Sequence, residues 1–234
     1  MIVFNVRTAE PAEVNVEDFL AVSKRDPEEM ARELDALIAS LADPDYKRLV
    51  QAVFSDPQVR AAFIKNPAAT NIHHAWIGGL LEHVLAVAAS AQAVAAQRPF
   101  LNRDLLLAGA LLHDIGKIEE IIPDPGFPYT DTGRLCGHIA LGALLVQGFI
   151  LQLKDFPPKK RDLVLHLILS HHGERELGSP VTPCIGEAVA LHHIECLDAK
   201  VQGVQSILER ESRTGAAGAW TDYEKVIEGR IFKG

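Results

Sequence analysis

Histidine and acidic residues, the side chains that most often bind divalent metal ions, stand at five places along the sequence. They are Glu82–His83, His113–Asp114, His138, His171–His172 and Asp198. Imidazole nitrogen together with carboxylate oxygen suits first-row ions such as Mn²⁺, Fe²⁺, Zn²⁺ and Co²⁺. At a helix end, a carboxylate such as that of Asp114 can bridge two ions while the adjacent imidazole binds one. Two ions about 3.5–4 Å apart can activate a water molecule and stabilise the leaving oxygen of a phosphoester.

A single histidine on an apolar helix is more often a packed core residue than a ligand. The sequence has ten histidines in 234 residues, which is only a modest enrichment. Taken singly, His166, His192 and His193 are therefore interpreted as structural. The hypothesis of a metal centre rests on the whole set of motifs around the His113–Asp114 pair, and on no one member of it.

The segments that carry these residues have the apolar spacing and the terminal residues of helices. Asp–Pro pairs at 26–27, 43–44 and 56–57 predict three helix starts, because aspartate caps a helix and proline fits its first position. Asn102 is predicted to cap a helix that begins at Arg103 and leads to the His113–Asp114 pair. Gly116 is predicted to take the left-handed conformation just past the end of this helix. Helices that carry the candidate ligands are predicted at about 76–96, 103–112, 137–153, 158–170 and 185–211.

The rest of the sequence fits an all-α fold with a short extended segment at its start. Residues 1–16 begin with the apolar residues Ile2 to Phe4, continue through several valines on both sides of Pro11, and are predicted to form a single strand and a linker. Residues 68–75 and 123–133 are predicted loops, and the aromatic residues after 216 are expected to pack back onto the helices. We predict two parts, an extension or remnant at 1–16 and one helical domain at 17–234.

Charge and cysteine content narrow the class of protein. The net charge is −8, whereas a protein that grips long nucleic acid usually has a basic surface, so a local basic patch, bound metal or another domain would have to offset the repulsion. The three cysteines are widely spaced, which argues against disulfides and a thiolate zinc site. No signal peptide is evident and the longest apolar runs are too short to span a bilayer, so we expect a cytoplasmic protein without membrane contact.

The motifs together resemble a known family. The segment HDIGK at 113–117, with His83 upstream and Asp198 downstream, is similar to the H…HD…D signature of HD-domain phosphohydrolases. Over about residues 17–234 the chain resembles the YhaM-type 3′–5′ exoribonucleases more closely. That likeness is carried by the strings NIHHAWIGGLLEHVL, LLHDIGK, GRLCGHI, LILSHHGERELGSP and HHIECLDAK. The fold implied is an HD-type helical bundle.

The resemblance also implies roles for individual residues. A first ion would be held by His83, His113, Asp114 and Asp198. Asp114 would bridge to a second ion held by His138 and by one of His171 and His172, of which we favour His171. The ions are expected to be two, with Mn²⁺ favoured over Fe²⁺, Zn²⁺, Co²⁺ or Mg²⁺.

Further residues are candidates for substrate contact or for support of the ligands. Lys117 follows His113 by one helical turn and is predicted to meet a phosphate oxygen. His73 and His74 are expected to contact substrate or to orient ligands, and Arg134 and Arg175 to act as phosphate clamps. Glu195 shares a helix face with Asp198 and either supports that ligand or is a surface carboxylate.

The function implied is hydrolysis of phosphodiester bonds from the 3′ end of single-stranded RNA or DNA. One departure is large: the YhaM type has an N-terminal OB-fold that binds single strands, and 16 residues are too few for that barrel. A nucleotide or cyclic-nucleotide phosphohydrolase is the alternative, since an acidic surface does not hinder it. A di-iron oxygenase on the HD scaffold and a silent binding module are further alternatives, and the intact ligand set argues against the module. A homo-oligomer is compatible with all of these.

Overall fold

The computed structural model describes residues 20–70, 74–215, 217–225 and 227–234. Within them the chain forms α1 (Pro27–Ala39), α2 (Pro44–Ser55), α3 (Pro57–Lys65), α4 (Gly79–Gln97), α5 (Arg103–Leu112), α6 (Lys117–Glu120), α7 (Asp131–Gln152), α8 (Pro158–Ser170), a 3₁₀ turn (Arg175–Leu177) and α9 (Gly186–Thr214). The described residues contain isolated β-bridges but no β-strand. The predicted all-α fold is therefore confirmed, while the strand and linker predicted at 1–16 lie outside the described residues.

Local capping explains why several helices begin where the sequence predicted. The side chains of Asp26, Asp43 and Asp56 each accept hydrogen bonds from two backbone N–H groups of the first turn, ahead of a proline. Asn102 does the same for α5. Each cap satisfies two backbone donors that the helix itself leaves free, and a cap of this kind contributes about 1 kcal/mol. These helix starts depend only on neighbouring residues.

Helix α5 is the central element of the bundle. Every residue from Asp104 to Leu112 is buried, and α5 packs against α2, α4, α8 and α9. The buried Asp104 carboxylate accepts backbone N–H groups from Ala42 at 2.7 Å and Asp43 at 2.5 Å, so its polar atoms are not left unpaired. The His113–Asp114 pair follows directly, so the centre of the core and the candidate site share one element.

Two helices differ from their predicted extents. Helix α4 begins at Gly79 and not near residue 76, because Gly78 takes a left-handed conformation with φ 80°. Helix α7 begins at Asp131, capped by Thr130, so it takes up part of the predicted loop. It is also interrupted at Gly137, where φ 72° and ψ 150° are not helical. A kink of this kind needs glycine, and it was not predicted.

The prediction for Gly116 was wrong. Its backbone is right-handed, with φ −67° and ψ −14°, and does not form a left-handed helix end. The glycine is needed for a different reason, which is close packing between α6 and α7. A Cβ atom at this position would lie 2.0 Å from the carbonyl oxygen of His138. Gly116 therefore allows the segment after Asp114 to lie directly against the helix that carries His138.

Two helices meet the length and composition of a membrane span, contrary to the sequence-based expectation. In their most apolar windows, 56% of the residues of α4 and 28% of those of α7 are buried in the fold. Helix α4 is a core helix that contacts α1, α3, α5 and α9. Helix α7 packs one face against α6 and α8 and leaves Leu144 and Leu151 exposed. Core helices of soluble proteins pass the same test, so it carries little weight here.

The C-terminal segment is only partly packed, which corrects the expectation for its aromatic residues. Trp220, Tyr223 and Phe232 are each more than half exposed, and the rings of Trp220 and Phe232 contact each other in a tilted arrangement with centroids 5.1 Å apart. The residues that are buried are Thr221 and Ile231, joined by a hydrogen bond from the Ile231 N–H to the Thr221 hydroxyl. The segment is held to α9 by the ion pairs Glu224–Arg210 and Lys233–Glu211, and its rings are largely exposed.

Candidate metal centre

Five histidines surround one buried point, and in each the Nδ1 atom is already engaged. The Nδ1 partners are Asp198 for His83 (2.7 Å), the Ala110 carbonyl for His113 (2.9 Å), Glu120 for His138 (3.2 Å), the Ile168 carbonyl for His171 (2.7 Å) and the Leu177 carbonyl for His172 (2.8 Å). Carbonyl and carboxylate oxygens accept, so these partners assign the proton to Nδ1 in each ring. The Nε2 atom is then left with a free lone pair, as a metal ligand requires.

The carboxylate of Asp114 lies between two groups of these Nε2 atoms. Its Oδ2 atom is 3.4 Å from Nε2 of His83 and 3.5 Å from Nε2 of His113. Its Oδ1 atom is 3.5 Å from Nε2 of both His138 and His171. One oxygen therefore faces each pair of histidines, which is the arrangement expected of a carboxylate that bridges two ions.

The donor set fits divalent cations. Nε2 of His83 and Nε2 of His113 lie 3.3 Å apart and, with Nδ1 protonated on both rings, present two lone pairs to each other. Among the described residues, Asp114 Oδ1 and Nε2 of His138 and His171 are buried without a hydrogen bond, while Asp114 Oδ2 has the Lys117 ammonium at 2.6 Å. Ligands at 2.0–2.1 Å in tetrahedral geometry are separated by about 3.4 Å. Buried acceptor atoms that face one another at these separations cost free energy when no cation lies between them. A divalent cation would remove that cost by accepting their lone pairs.

Burial and neighbouring charges set the protonation that ligands need. Burial lowers the pKa of His113 well below its usual value and also lowers that of His171. Burial, with the neighbouring His171 and His138, lowers the pKa of His172 to about 4. Burial alone would raise the pKa of Asp114, but the Lys117 ammonium and the surrounding histidines outweigh it and hold that pKa well below 3.8. His113, His171 and His172 are therefore neutral and Asp114 is ionised near neutral pH, as metal ligands must be.

Asp198 reaches the centre through two histidines. Its Oδ2 atom contacts Nδ1 of His83 at 2.7 Å and Nε2 of His74 at 3.1 Å. These contacts outweigh burial, which would raise the pKa of Asp198, and lower it strongly. Possible ligand atoms of Asp198, His74 and His83 lie within 4.8 Å of one another. The same is true of His83, His113 and Asp114. In this structure Asp198 orients the His83 ring, and its use as a direct ligand stays a prediction.

The kink at Gly137 and the side chain of Glu120 position His138, and the sequence analysis missed both. The interruption of α7 frees the His138 N–H, which donates to Glu120 Oε1 at 3.0 Å. The same carboxylate accepts from the His138 ring. Glu120 is buried at the end of α6, and His138 outweighs that burial and lowers its pKa. The nearest signal in the sequence was the glycine directly before His138.

Both members of the His171–His172 pair lie at the second group of ligands. Nitrogen atoms of His138, His171 and His172 are mutually within 4.8 Å. His171 is fully buried with its Nε2 3.5 Å from Asp114 Oδ1, and its use as a ligand stays a prediction. His172 is half-buried and belongs to the same cluster, so the alternative stays open. Gly173 follows with φ 80° and turns the chain away against the His192 ring.

Lys117 lies inside the site. Its ammonium is buried and 2.6 Å from Oδ2 of Asp114, where it offsets the carboxylate charge. Glu195, one turn before Asp198 on α9, is largely buried, so it is not a surface carboxylate. Burial, with the neighbouring charge of Asp114, raises the pKa of Glu195 to about 7.

The two predicted phosphate clamps are exposed and stand near candidate ligands in the chain. Arg134 is one turn before His138, exposed, with its guanidinium over the Tyr129 ring at 5.5 Å. Arg175 is exposed in the 3₁₀ turn that follows His172. His74 is buried and contacts Asp198, as described above, whereas His73 lies outside the described residues.

Comparisons with known proteins agree with this geometry. The HD domain family matches residues 80–207, which include each of the metal-binding candidates from His83 to Asp198. The chain belongs to the HD-domain family. The HD domain is here the helical scaffold α4–α9, and it makes the protein a divalent-metal-dependent phosphohydrolase. The predicted family, fold and enzyme class are thus confirmed.

Similar proteins narrow the relationship within HD-domain proteins. The 3′-5′ exoribonuclease YhaM of Bacillus subtilis (strain 168) is 35% identical over 231 residues, 97% of this chain and 71% of that protein. The protein of the same name from Oceanobacillus iheyensis is 36% identical over 233 residues, 98% of this chain and 71% of its own length. No solved structure gives a significant match. The resemblance to YhaM-type HD-domain proteins is therefore confirmed over nearly the whole chain.

Proposed function

We propose that this HD-domain protein is a 3′–5′ exoribonuclease that shortens single-stranded RNA with the help of two divalent ions. The observation that carries the proposal is the Asp114 carboxylate, whose two oxygens each face a separate pair of histidine Nε2 atoms. Relatives named 3′-5′ exoribonuclease YhaM, similar over 97% of the chain, support RNA as the substrate. Single-stranded DNA is a second polymer for the same chemistry.

The proposed ligands divide into two sets that share Asp114. Ion one would take His83, His113 and Asp114, with Asp198 as a further ligand or, as its contacts favour, as the group that orients His83. Ion two would take Asp114, His138 and His171, with His172 available beside them. Bound ions would activate a water molecule for attack on phosphorus and stabilise the leaving 3′ oxygen. Mn²⁺ is the ion we favour.

Other side chains near the candidate ligands would bind the substrate. Lys117 is positioned to move from Asp114 towards a phosphate oxygen, since its ammonium already lies within the site. Arg134 and Arg175 flank His138 and His172 and, within the described residues, form no ion pair, so their guanidinium groups are free for phosphate. His73 and His74 are proposed to contact the terminal nucleotide or to support Asp198.

The domain division and the setting of the protein are also proposals. We propose that 17–234 is the catalytic unit and 1–16 an extension, because the HD match and α4–α9 lie within the former. All three cysteines are free, and this agrees with a reducing cytoplasm. Assembly into a homo-oligomer stays a prediction.

A substrate panel with added Mn²⁺ tests the proposal. We expect single-stranded RNA to be shortened stepwise from its 3′ end, and single-stranded DNA more slowly. Asp114→Asn should abolish this activity and the retention of metal, while circular dichroism shows unchanged helix content, because Asp114 serves the site and not the helices. His193→Ala, an exposed histidine outside the centre, is the matched control. Undiminished hydrolysis by Asp114→Asn would reject the proposal.

The alternative is a nucleotide or cyclic-nucleotide phosphohydrolase. The net charge of −8 favours a small substrate, since a short ligand avoids most of the repulsion that a long polyanion meets. The same panel separates the two functions. Turnover confined to mononucleotides or cyclic nucleotides, with RNA left intact, would establish the alternative.

A further inference from the structure

A cavity of about 680 Å³ opens beside the metal centre, along the C-terminal half of α9. Its wall on α9 includes Gln202, Ser206, Glu209 and Arg213, which share the helix face that begins at Asp198. This face runs about 22 Å from Asp198 to Arg213. The cavity is thus a groove that leads away from the candidate catalytic residues.

The groove joins the metal centre through a short series of rings. Trp76 lines the groove, and its ring lies 5.1 Å from that of His74. His74 contacts Asp198 at 3.1 Å, and its ring lies 5.4 Å from that of His83. The indole N–H donates to Glu82 at 2.8 Å, which fixes the ring in place. His74 and His83 are themselves buried, so the groove lies next to the centre with Trp76 and His74 between them.

The chemistry of the walls suits a single-stranded polyanion. Trp76 and Tyr223 contribute aromatic rings to the lining, and Tyr223 is 61% exposed. Four basic side chains face three acidic ones, which makes the groove locally positive in a chain of net charge −8. The acidic groups are engaged: Glu82 accepts from Trp76 and Ser23, Glu209 pairs with Lys24, and Glu224 pairs with Arg210. Arg213 and Lys225 form no ion pair within the described residues.

We propose that this groove binds the nucleotides of single-stranded RNA that lie on the 5′ side of the scissile bond. Bases would stack on Trp76 and Tyr223, and phosphates would contact Arg213 and Lys225. The assignment rests on the proposed exoribonuclease function and supplies the local basic patch that an acidic RNA-binding chain needs. It commits to RNA because the groove combines cations without ion pairs and aromatic rings, and because Trp76 and His74 link it to Asp198.

Kinetics on a ten-nucleotide RNA and on a dinucleotide test the assignment. We expect Tyr223→Ala to raise KM for the ten-nucleotide RNA roughly tenfold, because loss of one stacked base costs on the order of one tenfold step in affinity or more. The kcat and the hydrolysis of the dinucleotide should stay unchanged, because neither needs the groove. Phe100→Ala, a 77% exposed ring at the opposite end of α4, is the matched control.

Salt dependence provides a readout that a merely structural residue would not change. Arg213→Gln should reduce the slope of log affinity against log salt by about 0.7, the value for one phosphate contact on a single strand. Arg98→Gln, at the far end of α4, should leave the slope unchanged. If the groove variants shorten RNA with unchanged KM and unchanged salt slope, the groove assignment is rejected and the exoribonuclease proposal stands. The groove would then be a candidate site for a protein partner. Failure of the unmodified chain to shorten RNA would reject both proposals.

Discussion

The histidines of this centre are each held by an oxygen on Nδ1, and this decides what the other nitrogen can do. For three rings the oxygen is a backbone carbonyl three to five residues away; for His83 and His138 it is a carboxylate from a distant part of the chain. The local carbonyls fix the tautomer as soon as the helix end forms. A carboxylate also raises the basicity of the ring that it holds, so His83 and His138 should be the strongest nitrogen ligands of the two sets.

His138→Ala should preferentially remove the second ion. The residue contributes Nε2 to the set around Asp114 Oδ1, whereas the first set around Oδ2 keeps its own two histidines. We expect elemental analysis to give close to one retained ion per chain and activity to fall by at least tenfold. His193→Ala should retain both ions. Equal loss of both ions in His138→Ala would contradict the division of ligands.

Glu195 predicts a pH-dependent stability in the metal-free protein. Its pKa is about 7 in the folded chain against 4.5 for a solvated carboxyl, so the folded state keeps a proton that the unfolded chain has released. The stability due to this proton is complete below pH 4.5 and is lost as the pH rises through 7, by about 3 kcal/mol. Glu195→Gln should therefore unfold at higher denaturant concentration than the unmodified chain at pH 8, and equally at pH 4.5. The exposed Glu119→Gln is the control, and a gain that does not change with pH would contradict the assignment.

At the scale of elements, the position of His138 in the second group of candidate ligands depends on how closely α6 and α7 approach each other. Gly116 and Gly142 lie at this contact, and Gly133 packs on Glu120 at the start of α7. Helix α7 then bends at Gly137, so that His138 turns towards Asp114. Glycines on both sides of one interface allow backbone to pack directly on backbone. The position of His138 is therefore a consequence of this contact as much as of its own helix.

Gly116→Ala should destabilise the fold and displace the second ion. Its backbone is helical, so alanine adds no dihedral strain, but the new Cβ would lie 2.0 Å from the His138 carbonyl oxygen. We expect a loss of about 3 kcal/mol in the free energy of unfolding, together with weaker binding at the second site. Gly148→Ala, whose Cβ would meet nothing within 4 Å, should instead gain about 0.5–1 kcal/mol. A neutral Gly116→Ala in chemical denaturation would show that α6 and α7 can separate without cost.

At the scale of the whole molecule, the metal centre joins five helices. His83 lies on α4, His113 and Asp114 follow α5, His138 lies on α7, His171 follows α8, and Asp198 lies on α9. Ions would bind there only in the folded state, because the unfolded chain does not bring these residues together. Their binding would therefore stabilise the entire bundle. Without them, the facing lone pairs and the buried carboxylate are sources of instability.

Chelation should lower the melting temperature of the whole protein in a single transition. With free metal about a thousandfold above its dissociation constant, the stabilisation is about 4 kcal/mol, which for a chain of this size corresponds to roughly 10 °C. Adding Mn²⁺ back should restore the original value in a calorimetric scan. Asp114→Asn should melt at the same temperature with and without chelator. An unmodified chain that does not respond to chelation would argue against ions shared among these helices.

The sequence by itself determined the helical elements, the class of fold and the residue types of the centre. Helix starts at Pro27, Pro44, Pro57 and Arg103 depend on caps one residue away, and such local interactions can be read directly from the chain. The motif around His113 and Asp114 placed the chain in the HD-domain family, which the comparison confirmed. The ligand assignments themselves stay predictions.

The tertiary structure alone decided how these residues meet. The contact of Asp198 with His83 spans 115 residues, and that of Glu120 with His138 spans 18 across two helices. The reason for Gly116 appears only when α7 is packed against it. The groove along α9 likewise exists because Trp76 and Tyr223, far apart in the chain, line the same space. Each of these features depends on how helices pack, and a linear pattern of residue types does not specify which faces come into contact.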